Sequence, residues 1–453
     1  MKLAQSRVHF IGIGGIGMCG LAELLHNMGA RVQGSDLSEN AQVQRLQSLG
    51  IKVSVGHHSE NILGVDVCVY SSAVKPDNVE YKKALELKIP MIPRAEALAE
   101  IMRLKRGVAI AGSHGKTTTT SMTAAVLLAA EMDPTIVVGG RLDLIKSTAK
   151  LGSGDWLVAE ADESDGSFHR LSPEVVIITN IDNDHLDYYK TFENIQRSFL
   201  DFAHRIPFYG AAIVCGDDAE TRKLFEGFQK KIIFYGFEKE NQFILSGVNS
   251  SYQFFQNKDG VLEKWGEFKL AVPGRHNALN ALAAVLAAVQ VGLAPEEALL
   301  GLQTFNGVDR RLQMRYQKEN FIYYDDYGHH PTEILAVLQA LREKHPSQKV
   351  VVLFQPHRFS RTQSCWKEFT ECFQAANELY LLDIYPAGEA PIAEITSEKL
   401  AQEIKGLKAQ YLKSKDQAVS EISKNLKADS VFLTLGAGDV YKTGDLIVQR
   451  VQK

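Results

Sequence analysis

Residues 111–119, A-G-S-H-G-K-T-T-T, set a glycine loop, a lysine and a run of hydroxyls between the apolar stretch V-A-I-A (108–111) and the helix-like T-T-T-T-S-M-T-A-A-V-L-L-A-A. A strand-to-helix junction of this kind turns the backbone N–H groups of Gly112, Ser113, His114 and Gly115 toward phosphate oxygens at a helix N-terminus. Lys116 adds a point charge, Thr117 offers a hydroxyl to Mg²⁺, and Thr118 extends the polar run. The expected ligand is a nucleoside triphosphate. The pattern is G-x-x-G-K-T, with Ile110 where the longer form of such loops has its first glycine.

Other chemistry-bearing residues fall where apolar runs end. W-L-V-A-E closes at Glu160 and runs into A-D-E-S-D, which places Glu160, Asp162, Glu163 and Asp165 beside the phosphate loop as Mg²⁺ ligands or their partners. V-V-I-I-T-N leads into I-D-N-D-H, bringing His185 to the same sheet edge. Gly12-x-Gly14-x-x-Gly17, with Asp36 after the next strand, suits close approach to a diphosphate; alone it suggests NAD. Further on, D-D-Y-G-H-H-P-T-E (325–333) and F-Q-P-H-R-F-S-R-T (354–362) each pass from a strand into a helix. Arg358 and Arg361, three apart, suit a bidentate clamp on a carboxylate or phosphate. Zinc is a rival for His329 and His330, but adjacent histidines point apart and no cysteine set is near in sequence. Arg310 and Arg311 stand where a domain closure would meet a γ-phosphate. His57 and His58 read as solvated loop residues.

The elements that must position these groups form three successive α/β alternations. A chain of 453 residues suggests three domains at about 150 residues each. The expected division is 1–106, 107–309 and 310–453: a Rossmann-like parallel sheet, a P-loop ATPase-like α/β domain, and a second Rossmann-like domain. R-L-K-R-G (103–107) reads as a linker, the polar stretch 241–266 as a small antiparallel excursion, and 277–289 as a buried Ala-rich helix. The hydrophobic fraction of 45% and charged fraction of 23% are those of an ordinary soluble protein, and a net charge of −4 argues against nucleic acid as partner. No apolar run nears the roughly 20 residues that span a bilayer, and M-K-L-A-Q-S-R-V-H-F lacks a signal-peptide core. Five cysteines without a C-x-x-C pair suit reduced thiols, so a cytoplasmic location with no membrane partner is expected.

Taken in order, H-F-I-G-I-G-G-I-G-M, G-S-H-G-K-T-T-T-T, A-E-A-D-E-S-D, T-N-I-D-N-D-H-L-D, P-G-R-H-N-A-L-N, D-D-Y-G-H-H-P-T-E, F-Q-P-H-R-F-S-R-T and Y-P-A-G-E-A-P-I resemble the Mur ligase family over essentially the whole chain. The resemblance implies an N-terminal domain for a UDP-sugar, a central ATPase domain and a C-terminal domain for an amino acid. On it, Gly14, Gly15, Gly17, Asp36 and Ser71 would serve the UDP-sugar, Lys116 and Thr117 the ATP phosphates and a first Mg²⁺, and Asn277 and Asn280 the adenine. Glu160 and His185 would hold a second Mg²⁺, with Mn²⁺ as a substitute. Related ligases carry a carbamylated lysine for that metal, and the acidic A-E-A-D-E-S-D edge is expected to replace it. Arg311 would meet the transferring phosphoryl group, and Asp326, Tyr327, His357, Arg358 and Arg361 would line the amino-acid end. His329 is the candidate general base. G-V-D-R-R stands where the family usually has G-x-G-R-R. The implied reaction is ATP-driven amide formation between UDP-N-acetylmuramate and L-alanine through an acyl phosphate, by a monomer or weak homodimer. An intact tripeptide is the rival amine; an NAD-dependent oxidoreductase and a non-catalytic nucleotide switch are rivals of other classes.

Overall fold

Each of the three alternations closes into its own sheet in the computed structural model, which describes residues 5–452 other than 72, 143 and 249. The first sheet takes β1 (Arg7–Ile11), β2 (Arg31–Asp36), β3 (Lys52–Val55), β4 (Val67–Tyr70) and β5 (Met91–Pro93) in the order β3-β2-β1-β4-β5, all parallel. Its helices are α1 (Ile16–Asn27), α2 (Ala41–Ser48), α3 (Val79–Glu86) and α4 (Arg94–Met102). Covered on both faces, β1 buries Val8, His9, Phe10 and Ile11 in succession rather than alternately.

The central sheet begins with β6 (Arg106–Ala111), β7 (Thr135–Leu142), β8 (Ser147–Lys150), β9 (Trp156–Glu160) and β10 (Val175–Ile178). It continues with β11 (Ala211–Cys215), β12 (Lys231–Gly236), β13 (Phe243–Val248), β14 (Ser251–Lys258) and β15 (Val261–Lys269). Its order is β15-β14-β13-β12-β11-β10-β6-β9-β7-β8. Because β6 lies between β10 and β9, the loops after all three strands meet at one edge, the place where doubly wound sheets bind ligands. Its helices are α5 (Lys116–Ala129), α6 (Leu186–Tyr189), α7 (Phe192–Ala203), α8 (Ala219–Leu224), α9 (Arg275–Gln290) and α10 (Pro295–Leu302).

The third sheet contains β16 (Gln313–Lys318), β17 (Phe321–Asp326), β18 (Lys349–Phe354), β19 (Glu378–Leu381), β20 (Ala409–Tyr411) and β21 (Ser430–Leu435), ordered β16-β17-β21-β18-β19-β20. Only the β16–β17 pair is antiparallel there. Its helices are α11 (Pro331–Lys344), α12 (Phe359–Ser364), α13 (Trp366–Glu371), α14 (Ser397–Glu403), α15 (Lys415–Asn425) and α16 (Val440–Val451).

Three local features differ from the sequence expectation or sharpen it. The stretch read as a linker already enters β6 at Arg106, whose guanidinium covers the Trp156 ring at 4.1 Å and pairs with Glu174 at 2.8 Å. The excursion consists of β13 to β15. Asp259 (φ 53°) and Gly260 (φ 87°) turn β14 into β15, the positive-φ pair that a tight hairpin requires. The β7–β8 hairpin has no counterpart in the sequence reading.

By Cα proximity the chain forms two compact units. One comprises Met1–Ser246, Gln253–Phe268 and Leu279–Phe305; the other Gly247–Tyr252, Lys269–Ala278 and Asn306–Lys453. The first unit thus holds both the N-terminal and central sheets, which share one apolar core running from Phe10 and Leu24 to Ile178 and Phe199. In the second unit separate apolar clusters cover the two faces of the third sheet, around Leu338 and Phe369 and around Tyr323 and Phe432.

Candidate active site

The phosphate loop is built on two glycines in left-handed conformations, Gly112 at φ 135° and Gly115 at φ 84°. A Cβ on Gly112 would stand 2.0 Å from Thr179 Oγ1, and one on Gly115 would stand 2.7 Å from Asn280 Oδ1. Gly115 is the N-cap of α5 and no side chain caps that helix, so the end is shaped for an anion. The Asn180 side chain brackets one peptide of the loop: its Oδ1 accepts from His114 N at 2.9 Å and its Nδ2 donates to His114 O at 3.0 Å. His114 Nε2 lies 2.8 Å from Asp182 Oδ2, and Asp182 N donates to Ser113 Oγ at 2.8 Å. Thr117 and Thr118 are buried in the first turn of α5.

Lys116 donates to Gly112 O at 2.6 Å, Ser113 O at 3.1 Å and Glu163 Oε1 at 2.7 Å, matching its three N–H groups with three acceptors. Burial by itself would push its pKa down, but Glu163, with Asp162 and Glu160 beyond it, more than reverses this and raises it. The ammonium is therefore a permanent charge at the loop. His185, at φ 59°, places Nε2 3.5 Å from the same Glu163 oxygen and 3.6 Å from Asp184 Oδ2. Glu160 Oε1 accepts from Gly139 N of β7 at 2.9 Å, and its charge also reaches Lys116. Asp162 joins the N-terminal and central domains by pairing with Arg94 at 3.1 Å.

In the first domain Gly12 turns at φ 80°, Gly15 caps α1, and Gly14 N donates to Asp36 Oδ2 at 2.8 Å. The Asp36 carboxylate thus braces the glycine loop. Arg94 lies against Gly17, 3.2 Å from where a Cβ would be, and Ser71 Oγ accepts from Ala73 N at 3.2 Å. His58 is exposed, as expected, but His57 is not a solvated residue. Its Nδ1 is 2.9 Å from Ser35 Oγ and 3.4 Å from Glu80 Oε2, within a buried polar cluster that includes His9 and Asn61. Burial would raise the Glu80 pKa, but hydrogen bonds from His9, Asn61 and Ser35 bring it down to about 2.

In the second unit the two adjacent arginines have different surroundings. Arg310, at φ 60°, donates to Asp325 Oδ2 at 3.0 Å and to Gly436 O at 2.6 Å, between the rings of Tyr327 and Tyr441. Arg311 faces Glu333 Oε1 at 3.5 Å and the Tyr327 ring at 5.3 Å. The left-handed positions of this turn are Gly307, Arg310 and Leu312, so Asp309 takes the second glycine's place without needing positive φ. Asp326 accepts from Leu312 N and Gly328 N, both at 2.6 Å, and burial raises its pKa to about 6. His329 rests 3.0 Å from Tyr327 O through Nδ1, its ring 5.7 Å from that of His357. His357 stacks on Tyr385 at 5.4 Å, its buried Nδ1 has no hydrogen-bond partner, and burial, then Arg361 and Arg358, lower its pKa to about 4. Arg358 sits at φ 71° with Nε 3.9 Å from Glu389, and Arg361 is buried. Asn277 donates to Pro273 O at 2.6 Å, whereas Asn280 lies against Gly115.

Family comparison covers all three sheets. The Mur ligase family catalytic-domain model matches residues 7–106, the Mur ligase middle domain 110–288, and the Mur ligase glutamate ligase domain 310–438. A UDP-N-acetylmuramate–L-alanine ligase from Bdellovibrio bacteriovorus is 59% identical over 446 residues, 98% of each chain. The chain belongs to the Mur ligase family. Among solved structures, the UDP-N-acetylmuramate–alanine ligase of Thermotoga maritima is 30% identical with a TM-score of 0.81, covering 99% of both chains. A murein peptide ligase from Psychrobacter arcticus, 21% identical with a TM-score of 0.72 over 98% of both chains, shares the fold.

Within this Mur ligase, Glu163 differs from Glu160 in its surroundings. Its side chain is 2% exposed, and its Oε2 is buried with no hydrogen-bond partner. An acceptor oxygen left over beside a lysine, a histidine and the Thr117 turn fits a hard divalent cation, so the donor set suits Mg²⁺ or Mn²⁺. Sequence alone leaves open which of Glu160 and Glu163 meets the metal; what distinguishes Glu163 is its contact with Lys116, 47 residues away in sequence. Among the described residues no helix is long and apolar enough to cross a membrane.

Proposed function

We propose that this Mur ligase joins L-alanine to the carboxylate of UDP-N-acetylmuramate at the expense of ATP, in the synthesis of a peptidoglycan precursor. The observation that carries the nucleotide half of this reading is Lys116, held at an uncapped helix N-terminus by a carboxylate whose second oxygen is unpartnered. The substrate half is supported by 59% identity, over 98% of each chain, to a ligase of that specificity.

In the proposed reaction a muramate carboxylate oxygen takes the γ-phosphoryl group and ADP leaves. The alanine nitrogen then attacks the carbonyl carbon, an N–H proton is lost, phosphate is expelled and an amide remains. Two anions must approach in the first step, so fixed positive charge is the principal requirement. Lys116 supplies it at the phosphate loop and Arg311 at the transferring group. Thr117, Glu163 and His185 would hold Mg²⁺, with Glu160 bracing the β7 end of the site; the cation, when bound, neutralises phosphate charge. In the third domain Arg358 and Arg361 are assigned to the amino-acid carboxylate. The attacking amine must be neutral although its free pKa lies near 8 or above, and His329 is assigned to take its proton. His357, kept neutral by burial, orients rather than ionises. Both nucleotides and five free, buried cysteines suit a reducing cytoplasm.

The deciding experiment is release of ADP and phosphate from ATP and UDP-N-acetylmuramate, screened across L-alanine, glycine, L-serine and the L-Ala-γ-D-Glu-meso-diaminopimelate tripeptide. Product with L-alanine in step with phosphate is expected. Turnover with the tripeptide alone would reassign the amine, and NADH-dependent chemistry without phosphate release would replace the reading altogether.

A further inference from the structure

Glu333 is the third helical residue of α11, two after Pro331, and its Oε2 accepts from His329 N at 3.0 Å and His330 N at 3.3 Å. That satisfies the donors at the start of the helix and sets the turn carrying His329. A cap needs only an acceptor oxygen, which glutamine also has. Yet the same carboxylate has three further contacts with charged or titratable groups. Its Oε1 faces Arg311 Nη1 at 3.5 Å, its Oε2 lies 3.6 Å from His329 Nδ1, and His276 stands close enough to feel both Glu333 and Arg311. Asp326 senses its charge as well.

Adjacent Arg310 and Arg311 meet different carboxylates, Asp325 and Glu333. Arg310 is fixed by a carboxylate, a carbonyl and two aromatic faces at hydrogen-bond distances of 2.6–3.0 Å. Arg311 faces the Glu333 carboxylate at 3.5 Å and the Tyr327 ring at 5.3 Å, so the carboxylate that caps α11 also bears on a guanidinium suited to a phosphoryl group. We infer that Glu333 is a positioning residue whose one carboxylate sets both the His329 turn and the Arg311 guanidinium, so that its negative charge is needed for turnover. This rests on the ligase reading above.

The test compares the full-length wild type with Glu333→Gln, Arg311→Lys and the double variant, reading phosphate release with ATP, UDP-N-acetylmuramate and L-alanine. Glu333→Gln keeps an acceptor for both N–H groups, so its melting temperature should stay near that of the wild type. Its kcat should fall about tenfold or more with the KM for the UDP-sugar within about twofold, the pattern of a lost transition-state interaction. The double variant should be no slower than Arg311→Lys alone, since glutamine keeps the cap on the His329 turn and the lost charge acts on that guanidinium. Full kcat in Glu333→Gln, or losses that simply multiply in the double variant, would overturn the inference while leaving the ligase reading intact. A wild type that forms no amide overturns the reading and the inference with it. If Glu333→Gln folds poorly, Glu333→Asp decides, because it keeps charge but shortens the cap: activity per folded molecule above that of the Gln variant supports the inference, and activity below it refutes it.

Discussion

Lys116 Nζ lies 2.7 Å from Glu163 Oε1, and the other oxygen of that carboxylate is buried without a hydrogen-bond partner. The lysine end donates to two carbonyls of the phosphate loop, and the carboxylate end keeps an unpartnered oxygen that fits the cation proposed above. Each half can be removed separately.

Lys116→Ala should abolish amide formation while UDP-N-acetylmuramate binding, assigned to the first domain, stays nearly intact. It also strands Glu163 as a buried charge, at a cost of about 3 kcal/mol. Removing both partners should recover part of that stability without recovering activity. Isothermal titration with the UDP-sugar and thermal melts of the single and double variants read both effects; loss of sugar binding in Lys116→Ala would contradict the division of labour.

Glu163→Gln should raise the Mg²⁺ concentration needed for half-maximal ADP release by at least about tenfold, since an anionic ligand is exchanged for a neutral one. Glu160→Gln should have a smaller effect, because the Glu160 carboxylate is already engaged by Gly139 N–H. The opposite ranking in a metal titration would return the cation to Glu160.

The difference between these two glutamates marks how far the sequence could be read. Gly112, Gly115 and Lys116 are legible because the geometry they impose is local to one turn. The roles of Glu160 and Glu163 depend on β7, a strand whose Gly139 is 21 residues upstream of Glu160 and whose hairpin leaves no clear periodic signature. Arg310 and Arg311 are likewise equivalent in sequence. What separates them is Gly436, 126 residues away, whose carbonyl takes Arg310 into the fold. Strand-to-helix order and the sheet edge were readable; which polar group is consumed by the scaffold was not.

His276 and His357 both have folded pKa values near 4, lowered chiefly by burial. Their ordinary value is about 6.5, so the unfolded chain binds protons that the native one refuses, and their contribution is lost as pH falls from about 6.5 toward 4. Asp326 works in the opposite sense: with a folded pKa of about 6, its contribution is present at low pH and lost as pH rises through 6. Burial lowers the pKa of His345 and raises that of Asp325 in the same unit, so three histidines oppose two aspartates and acidification from pH 7 to 5 should destabilise it, by at most about 2 kcal/mol per histidine. His276→Asn should show a smaller acid-induced drop in melting temperature than the wild type. An equal drop would remove His276 as a cause.

Arg358 has φ 71° and ψ 137°, a conformation that costs a side-chain-bearing residue about 1–3 kcal/mol and glycine little. Its backbone is held there by Arg358 N donating to Tyr385 O at 2.9 Å, next to the stacked His357–Tyr385 pair. The strain persists at the residue assigned to the amino-acid carboxylate, which separates a backbone effect from a guanidinium effect. Arg358→Gly should melt at or above the wild-type temperature, whereas Arg358→Ala keeps the strain and should melt below the glycine variant. Both lack the guanidinium, so both should raise the KM for L-alanine by about 10- to 100-fold, the worth of a charge-assisted hydrogen bond, with little change in the KM for ATP. Steady-state kinetics with each substrate varied in turn checks this: a selective rise in the KM for ATP would move Arg358 to the nucleotide, and a KM for L-alanine restored in Arg358→Gly alone would reduce its role to the backbone.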